Sequence, residues 1–258
     1  MKRSAAVYAI VGLALAIGIT MTMDATGLTT FSALPLLALG LVLWALTRIS
    51  RAKLGLTLGR PSDYVWAIAY PVAVLALVVL VAVIGGATHA SPVTSRVVTR
   101  VAIAAVAGIL AALLTEEGFF RGWLWASLDS AGLSRSRILI LTSIAFAAWH
   151  ISYATLAHGY TLPAAQVVVY IANAAVIGVI WGMMRSISGS IIVSSVSHSL
   201  WNAVAYELFG EGPKIGLLGI TQTSIFGAEV GIVGLLLNCL FAAAIFIVYR
   251  RRAADESA

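Results

Sequence analysis

Six residues with acid-base chemistry or strong hydrogen-bonding capacity lie inside otherwise apolar stretches of this chain: Glu116, Glu117, Arg121, His150, His198 and Asn202. An ionisable group at the centre of a bilayer costs at least ~2.5 kcal/mol, so such groups normally face a bundle interior and have a function there. Their spacing is helical. Glu117 and Arg121 are four apart and share a helix face, whereas Glu116 is turned about 100° from Glu117. Phe146 with His150, and His198 with Asn202, are also four apart, so each pair presents one patch to its neighbours. A purely structural ion pair is the expectation for Glu117 and Arg121, because pairing neutralises two charges that hydrocarbon penalises. One glutamate is then structural and the other is available for chemistry. Taken singly, His150, His198 and Asn202 read as interhelical hydrogen-bonders. Together with an unpaired Glu116 they point to a shared site.

Positioning these groups requires membrane helices. Runs of roughly 20 apolar residues recur along the chain, the length a helix needs to cross about 30 Å of hydrocarbon. The expectation is an all-α polytopic bundle of about eight transmembrane helices, near Ala5 to Met23, Thr30 to Thr47, Tyr64 to Ile84, Val97 to Leu128, Ile138 to Tyr153, Ala164 to Met184, Ser190 to Phe209 and Gly227 to Tyr249. Gly- and Pro-containing breaks separate them, as at Arg60-Pro61-Ser62-Asp63 and Gly210 to Pro213. Glu116 lies 13 residues before Asp129, His150 13 after Arg137 and His198 13 after Arg185. At 1.5 Å per residue that is about 20 Å from one membrane edge in each case. Three helices thus offer titratable groups at one depth, around a polar cavity expected to be reachable from the cytosol.

Composition excludes the main alternatives to a membrane fold. Of the 258 residues 61% are hydrophobic and 10% charged, against about 25% charged in a soluble domain, which could not bury so much apolar surface. The net charge of +6 comes from cations scattered through short segments and not from a basic face with aromatics, so no nucleic-acid partner is expected. Twelve Lys and Arg (2, 3, 48, 51, 53, 60, 135, 137, 185, 250, 251 and 252) fall on one side of the alternating segments, against Arg96, Arg100 and Lys214 on the other. That bias places both termini in the cytosol, with Arg250 to Arg252 as a stop-transfer anchor at the headgroups. Met1-Lys2-Arg3 and the apolar run behind it read as a retained first helix, there being no convincing cleavage site. The single cysteine, Cys239, excludes a disulfide framework and a Cys-based zinc site. Glu207, Glu211, Glu229, His89 and His158 fall near span ends or loops and are expected to be solvated, while Trp123, Trp125 and Tyr206 read as interfacial belt or packing residues. No internal repeat or linker divides the chain, and 1–258 reads as one integral membrane domain.

Glu116-Glu117-Gly118-Phe119-Phe120-Arg121 matches an EExxxR pattern, Phe146-Ala147-Ala148-Trp149-His150 matches FxxxH, and His198-Ser199-Leu200-Trp201-Asn202 matches HxxxN. In that order and on separate spans, the three motifs resemble those of the CPBP family, also called the ABI or type II CAAX prenyl endopeptidase family, over a protease-like core at 111–206. The resemblance implies an intramembrane endopeptidase of eight spans. Eukaryotic and archaeal members remove the last three residues of prenylated CAAX proteins, and bacterial members are linked to bacteriocin self-immunity or to unknown substrates. It further implies that Glu116 is the catalytic glutamate, that His150 helps activate water, that His198 and Asn202 stabilise the oxyanion, and that Glu117, Arg121 and Phe146 support the site. The expected setting is a bacterial cell membrane, and the expected substrate a membrane-associated or lipidated peptide or protein.

Two chemistries remain open for such a site. Glu116 can accept a proton from water and return it to the leaving amine, with hydrogen-bond donors at the oxyanion worth roughly 2.7 to 4 kcal/mol each. Alternatively Glu116, His150 and His198 can bind Zn²⁺ and leave one position for water. No certain cofactor follows, and the first version is preferred because it frees Glu116 to act as base. The competing classes are a proton-coupled secondary transporter and a non-catalytic immunity or partner-binding membrane protein. Transporters of that kind often show inverted repeats and paired broken helices, and the sequence shows neither.

Overall fold

The computed structural model describes residues 2–157, 159 and 161–255, and the expectation for His158 lies outside them. Twelve α-helices and one short hairpin follow in the order α1 (Lys2–Ala25), α2 (Leu34–Thr47), α3 (Arg51–Leu54), α4 (Asp63–Ile84), α5 (Ser95–Leu114), a π-helical stretch (Glu117–Leu124), α6 (Trp125–Ser130), α7 (Arg135–Trp149), α8 (Ile151–Leu156), α9 (Ala164–Ser188), α10 (Ile191–Phe209), β1 (Gly210–Glu211), β2 (Lys214–Ile215), α11 (Thr223–Phe226) and α12 (Ile232–Asp255). The strands pair antiparallel, Gly210 opposite Ile215. Seven helical segments among the described residues are long and apolar enough to cross a membrane, and the chain is an all-α integral membrane bundle. Their outer faces expose Leu80, Val83, Val106, Leu236 and Leu240, as lipid contact requires.

The eighth long helix, α10, has 19 residues and is not among the seven. It packs against α4, α5 and α9, so its sides meet protein and not lipid. Ser194, Ser195, Ser197 and His198 are all buried in it, a composition that lipid would penalise and that an enclosed helix tolerates. Close approach comes from small residues. A Cβ added at Gly108 of α5 would fall 2.4 Å from Ser199 Oγ and 3.3 Å from Ser199 Cβ on α10, and the Ser199 hydroxyl donates to the Ala105 carbonyl. Gly108→Leu is therefore expected to drive α5 and α10 apart and lower stability by about 1–3 kcal/mol, as overpacking does. An unchanged thermal unfolding midpoint in detergent would contradict that packing.

Helix ends follow local chemistry. Ser50 and Thr94 accept N-terminal backbone N–H groups of α3 and α5, and Gly189 ends α9 in the left-handed region at φ 69°. Two boundaries differ from those expected. The fifth span breaks at His150, where α7 gives way to α8. The last helix starts at Ile232 and not Gly227, because residues 227–231 form a tight turn in which Gly231 N donates to Gly227 O at 3.1 Å. A Cβ on Gly231 would lie 2.4 Å from Gly227 N.

The chain alternates between two ends of the bundle. The end that carries both terminal segments also brings Lys53 to Asp129 and Thr57 to Gly189. At the other end the loops after α4, α8 and α10 gather, with His89 N donating to Leu218 O and Thr221 N to Ala87 O.

Candidate active site

The fourth span changes character where its chemistry begins. After Thr115 the hydrogen bonding passes into the π-helical stretch Glu117–Leu124, a widened turn of the kind that often marks functional sites. Gly118 suits this place, since a Cβ on it would lie 2.5 Å from the Leu113 carbonyl. The distortion leaves Glu117 facing Arg121 and sends Glu116 into a separate pocket.

Glu117 and Arg121 are fully buried, and Arg121 Nη1 donates to Glu117 Oε1 at 3.0 Å. The guanidinium also donates through Nη2 to the Gly178 carbonyl at 3.2 Å and lies 4.1 Å above the Phe146 ring. Phe146 is thus held between Arg121 and His150, whose ring centroid is 4.4 Å away. Beyond the expected ion pair, Glu117 Oε1 stands 3.1 Å from His198 Nδ1. One carboxylate therefore anchors both the arginine and a histidine.

Both histidines turn the same nitrogen into the pocket. His150 Nδ1 is 2.8 Å from the Phe146 carbonyl, which can only accept, so Nδ1 carries the proton of that bond. His198 Nδ1 faces the Glu117 carboxylate, again an acceptor, and its ring stacks on Trp181 at 4.0 Å. Nε2 of each ring then faces Glu116, whose Oε2 is 3.9 Å from both. That separation exceeds a hydrogen bond and matches a gap bridged by one water. The pocket holds about 50 Å³ and is lined by Glu116, Phe146, His150, His198 and Asn202, together with Tyr170, Asn173, Trp181, Tyr206 and Glu229. One or two waters fill such a space. All six chemistry-bearing residues singled out in the sequence thus gather at or directly behind one cavity.

Among the described residues no three His, Cys, Asp or Glu side chains are grouped tightly enough to hold a metal ion. Glu116 is 3.9 Å from each imidazole, whereas tetrahedral zinc ligands with bonds of about 2.0–2.1 Å stand about 3.4 Å apart. The donor types suit zinc, but their spacing as it stands does not.

Sequence reasoning misplaced several residues. Glu229, expected in solvent, accepts from Trp201 Nε1 at 2.8 Å and lines the pocket. Glu207 is paired with Arg100 and Lys214, while Glu211 and His89 are exposed as expected. Trp123 and Trp125 are core packing residues, one of the two roles expected for them, whereas Tyr206 lines the pocket. Arg185, used only as a flank, is buried and donates to the carbonyls of Arg121 and Lys53, tying the π-helical stretch to α9. Asn173 and Asn238, polar residues in apolar runs, were the sequence signals for the groups behind the pocket.

A larger cavity of about 240 Å³ adjoins the site and shares Tyr170, Tyr206 and Glu229 with it. It is lined by residues from Leu162 to Gln166, the β1–β2 hairpin and Thr223 to Val230, all at the end of the bundle opposite the cation-rich segments.

Residues 98–204 match the family described as Type II CAAX prenyl endopeptidase Rce1-like. Among curated proteins no match was found.

Proposed function

We propose that this chain, whose residues 98–204 belong with the Type II CAAX prenyl endopeptidases, hydrolyses peptide bonds inside the membrane with Glu116 as general base. The family is one of membrane proteases. The observation that carries the further step is the Glu116 carboxylate lying 3.9 Å from Nε2 of both His150 and His198, a spacing suited to one water.

Such a water donates one hydrogen to Glu116 and one to His150 Nε2, leaving an oxygen lone pair for the substrate carbonyl carbon. As the C–O bond forms, the water proton passes to Glu116. The developing oxyanion takes hydrogen bonds from the Asn202 amide and from the His198 imidazole, whose ring is held at Nδ1 by Glu117. Glu116 then returns its proton to the leaving amine as the C–N bond breaks. The mechanism runs on the chain's own groups.

The positive-inside rule places the cation-rich end, with both termini, in the cytosol. The larger cavity then opens on the other side, and membrane-associated peptides, lipidated ones included, reach the site from there. Comparing peptide termini in membranes that contain the wild type with those that contain Glu116→Gln tests the activity. A set of termini present only with the wild type is expected, and identical sets would overturn the proposal.

A further inference from the structure

We propose that Glu229 determines the specificity of this site by receiving a cationic group of the substrate, a lysine or arginine side chain or a free amino group, beside the scissile bond. The inference rests on the protease reading for what the ligand is, and on independent geometry for where it binds.

Glu229 stands at the junction of the two cavities. It lines the small pocket with Glu116, His150 and Asn202, and also the larger cavity through which a peptide would pass. Its Oε1 accepts from Trp201 Nε1 at 2.8 Å. Among the described residues Oε2 has no hydrogen-bond partner, and no Lys or Arg pairs with the carboxylate. The nearest cation lining the larger cavity, Lys214, is engaged 3.7 Å from Glu207.

The placement is built, not incidental. Asn173 on α9 donates through Nδ2 to the carbonyls of both Ala228 and Glu229 at 3.0 Å. Its Oδ1 accepts from Asn238 Nδ2 on α12 at 2.8 Å, and Asn238 Oδ1 accepts from the Tyr70 hydroxyl on α4 at 2.7 Å. Tyr70, Asn173 and Asn238 are all buried, so three helices contribute polar groups to a chain of bonds that fixes the backbone carrying Glu229. Satisfied networks of this kind rigidify what they hold. A carboxylate so placed, with one indole N–H donor and no Lys or Arg beside it among the described residues, is unfavourable in the free protein; glutamine would fill the space and satisfy Trp201 equally well. A substrate cation supplies the missing partner. It also suits a pocket that already holds the Glu116 carboxylate, and an acidic substrate residue there would be repelled.

The test uses the full-length protein in detergent and two series of internally quenched peptides, with lysine scanned across the positions flanking the cleaved bond in one and norleucine in the other. For the wild type, kcat/KM is expected to be at least about tenfold higher for lysine at one position, consistent with a desolvated charge pair. In Glu229→Gln, where the amide oxygen still accepts from Trp201, the preference should vanish mainly through KM, and Glu229→Lys should reverse it toward glutamate. Equal cleavage of the two series by the wild type, or a lysine preference that survives Glu229→Gln, overturns the assignment. Binding of the same peptides to Glu116→Gln protein, read by fluorescence anisotropy, separates this inference from the mechanism. Lysine-dependent binding that is lost in the Glu116→Gln, Glu229→Gln double variant supports the role of Glu229 even if no peptide is cleaved; absence of lysine-dependent binding overturns it.

Discussion

Glu116→Gln is expected to lower the rate of peptide hydrolysis by 10²- to 10⁴-fold while leaving folding and peptide binding intact. Glutamine has nearly the same volume and keeps an acceptor oxygen, but it cannot take a proton from water at neutral pH. Loss of positioned acid-base catalysis alone accounts for a defect of that size. Two features of the site predict that the variant folds. The Glu116 carboxylate is 3.9 Å from its histidine neighbours and makes no short bond that the fold depends on, and the buried ion pair belongs to Glu117. A chelator provides the complementary arm: thorough metal removal is expected to leave wild-type activity in place, whereas loss that zinc restores would move Glu116 from base to ligand. Near wild-type cleavage by the glutamine variant would exclude Glu116 as the base outright.

What the sequence revealed and what it hid divide along physical lines. Glu117 with Arg121, Phe146 with His150 and His198 with Asn202 were legible because a four-residue spacing survives in any helix, and because ionisable groups stand out in apolar runs. The π-helical character of Glu117–Leu124 was not legible, since a change from i→i+4 to i→i+5 bonding leaves no mark in residue type. The second anchor of Glu117, on His198, depends on how α10 packs against that stretch, a long-range contact that spacing within one helix cannot reveal. Glu229 was missed because the last helix was started at Gly227, which put the residue near a span end. In the fold, the turn at Gly227 and Gly231 and the hydrogen bonds from Asn173 bring it back to the pocket. Helix α10 shows the reverse case, in which polarity that weakened its signal as a span is the record of its enclosed position.

The glutamate beside Glu116 should behave in the opposite way. Glu117→Gln is expected to destabilise the folded protein by about 3 kcal/mol, the lower part of the range for breaking a buried pair by removing one partner. Arg121 is fully buried, and without the Glu117 carboxylate it loses its directly bonded anion and keeps the Gly178 carbonyl and the faces of Phe146 and Trp181. None of these carries a charge that neutralises it. Activity should fall as well, because His198 loses the acceptor that orients its ring, so stability and not turnover is the diagnostic measurement. Removing both charges in Glu117→Gln, Arg121→Gln should cost less than the sum of the single changes, since the buried cation is gone. Thermal unfolding of the four proteins in detergent checks this, with size-exclusion profiles as the control for aggregation. If Glu117→Gln unfolds at the wild-type temperature yet is inactive, Glu117 takes part in the chemistry itself, and the division of labour between the two glutamates has to be redrawn.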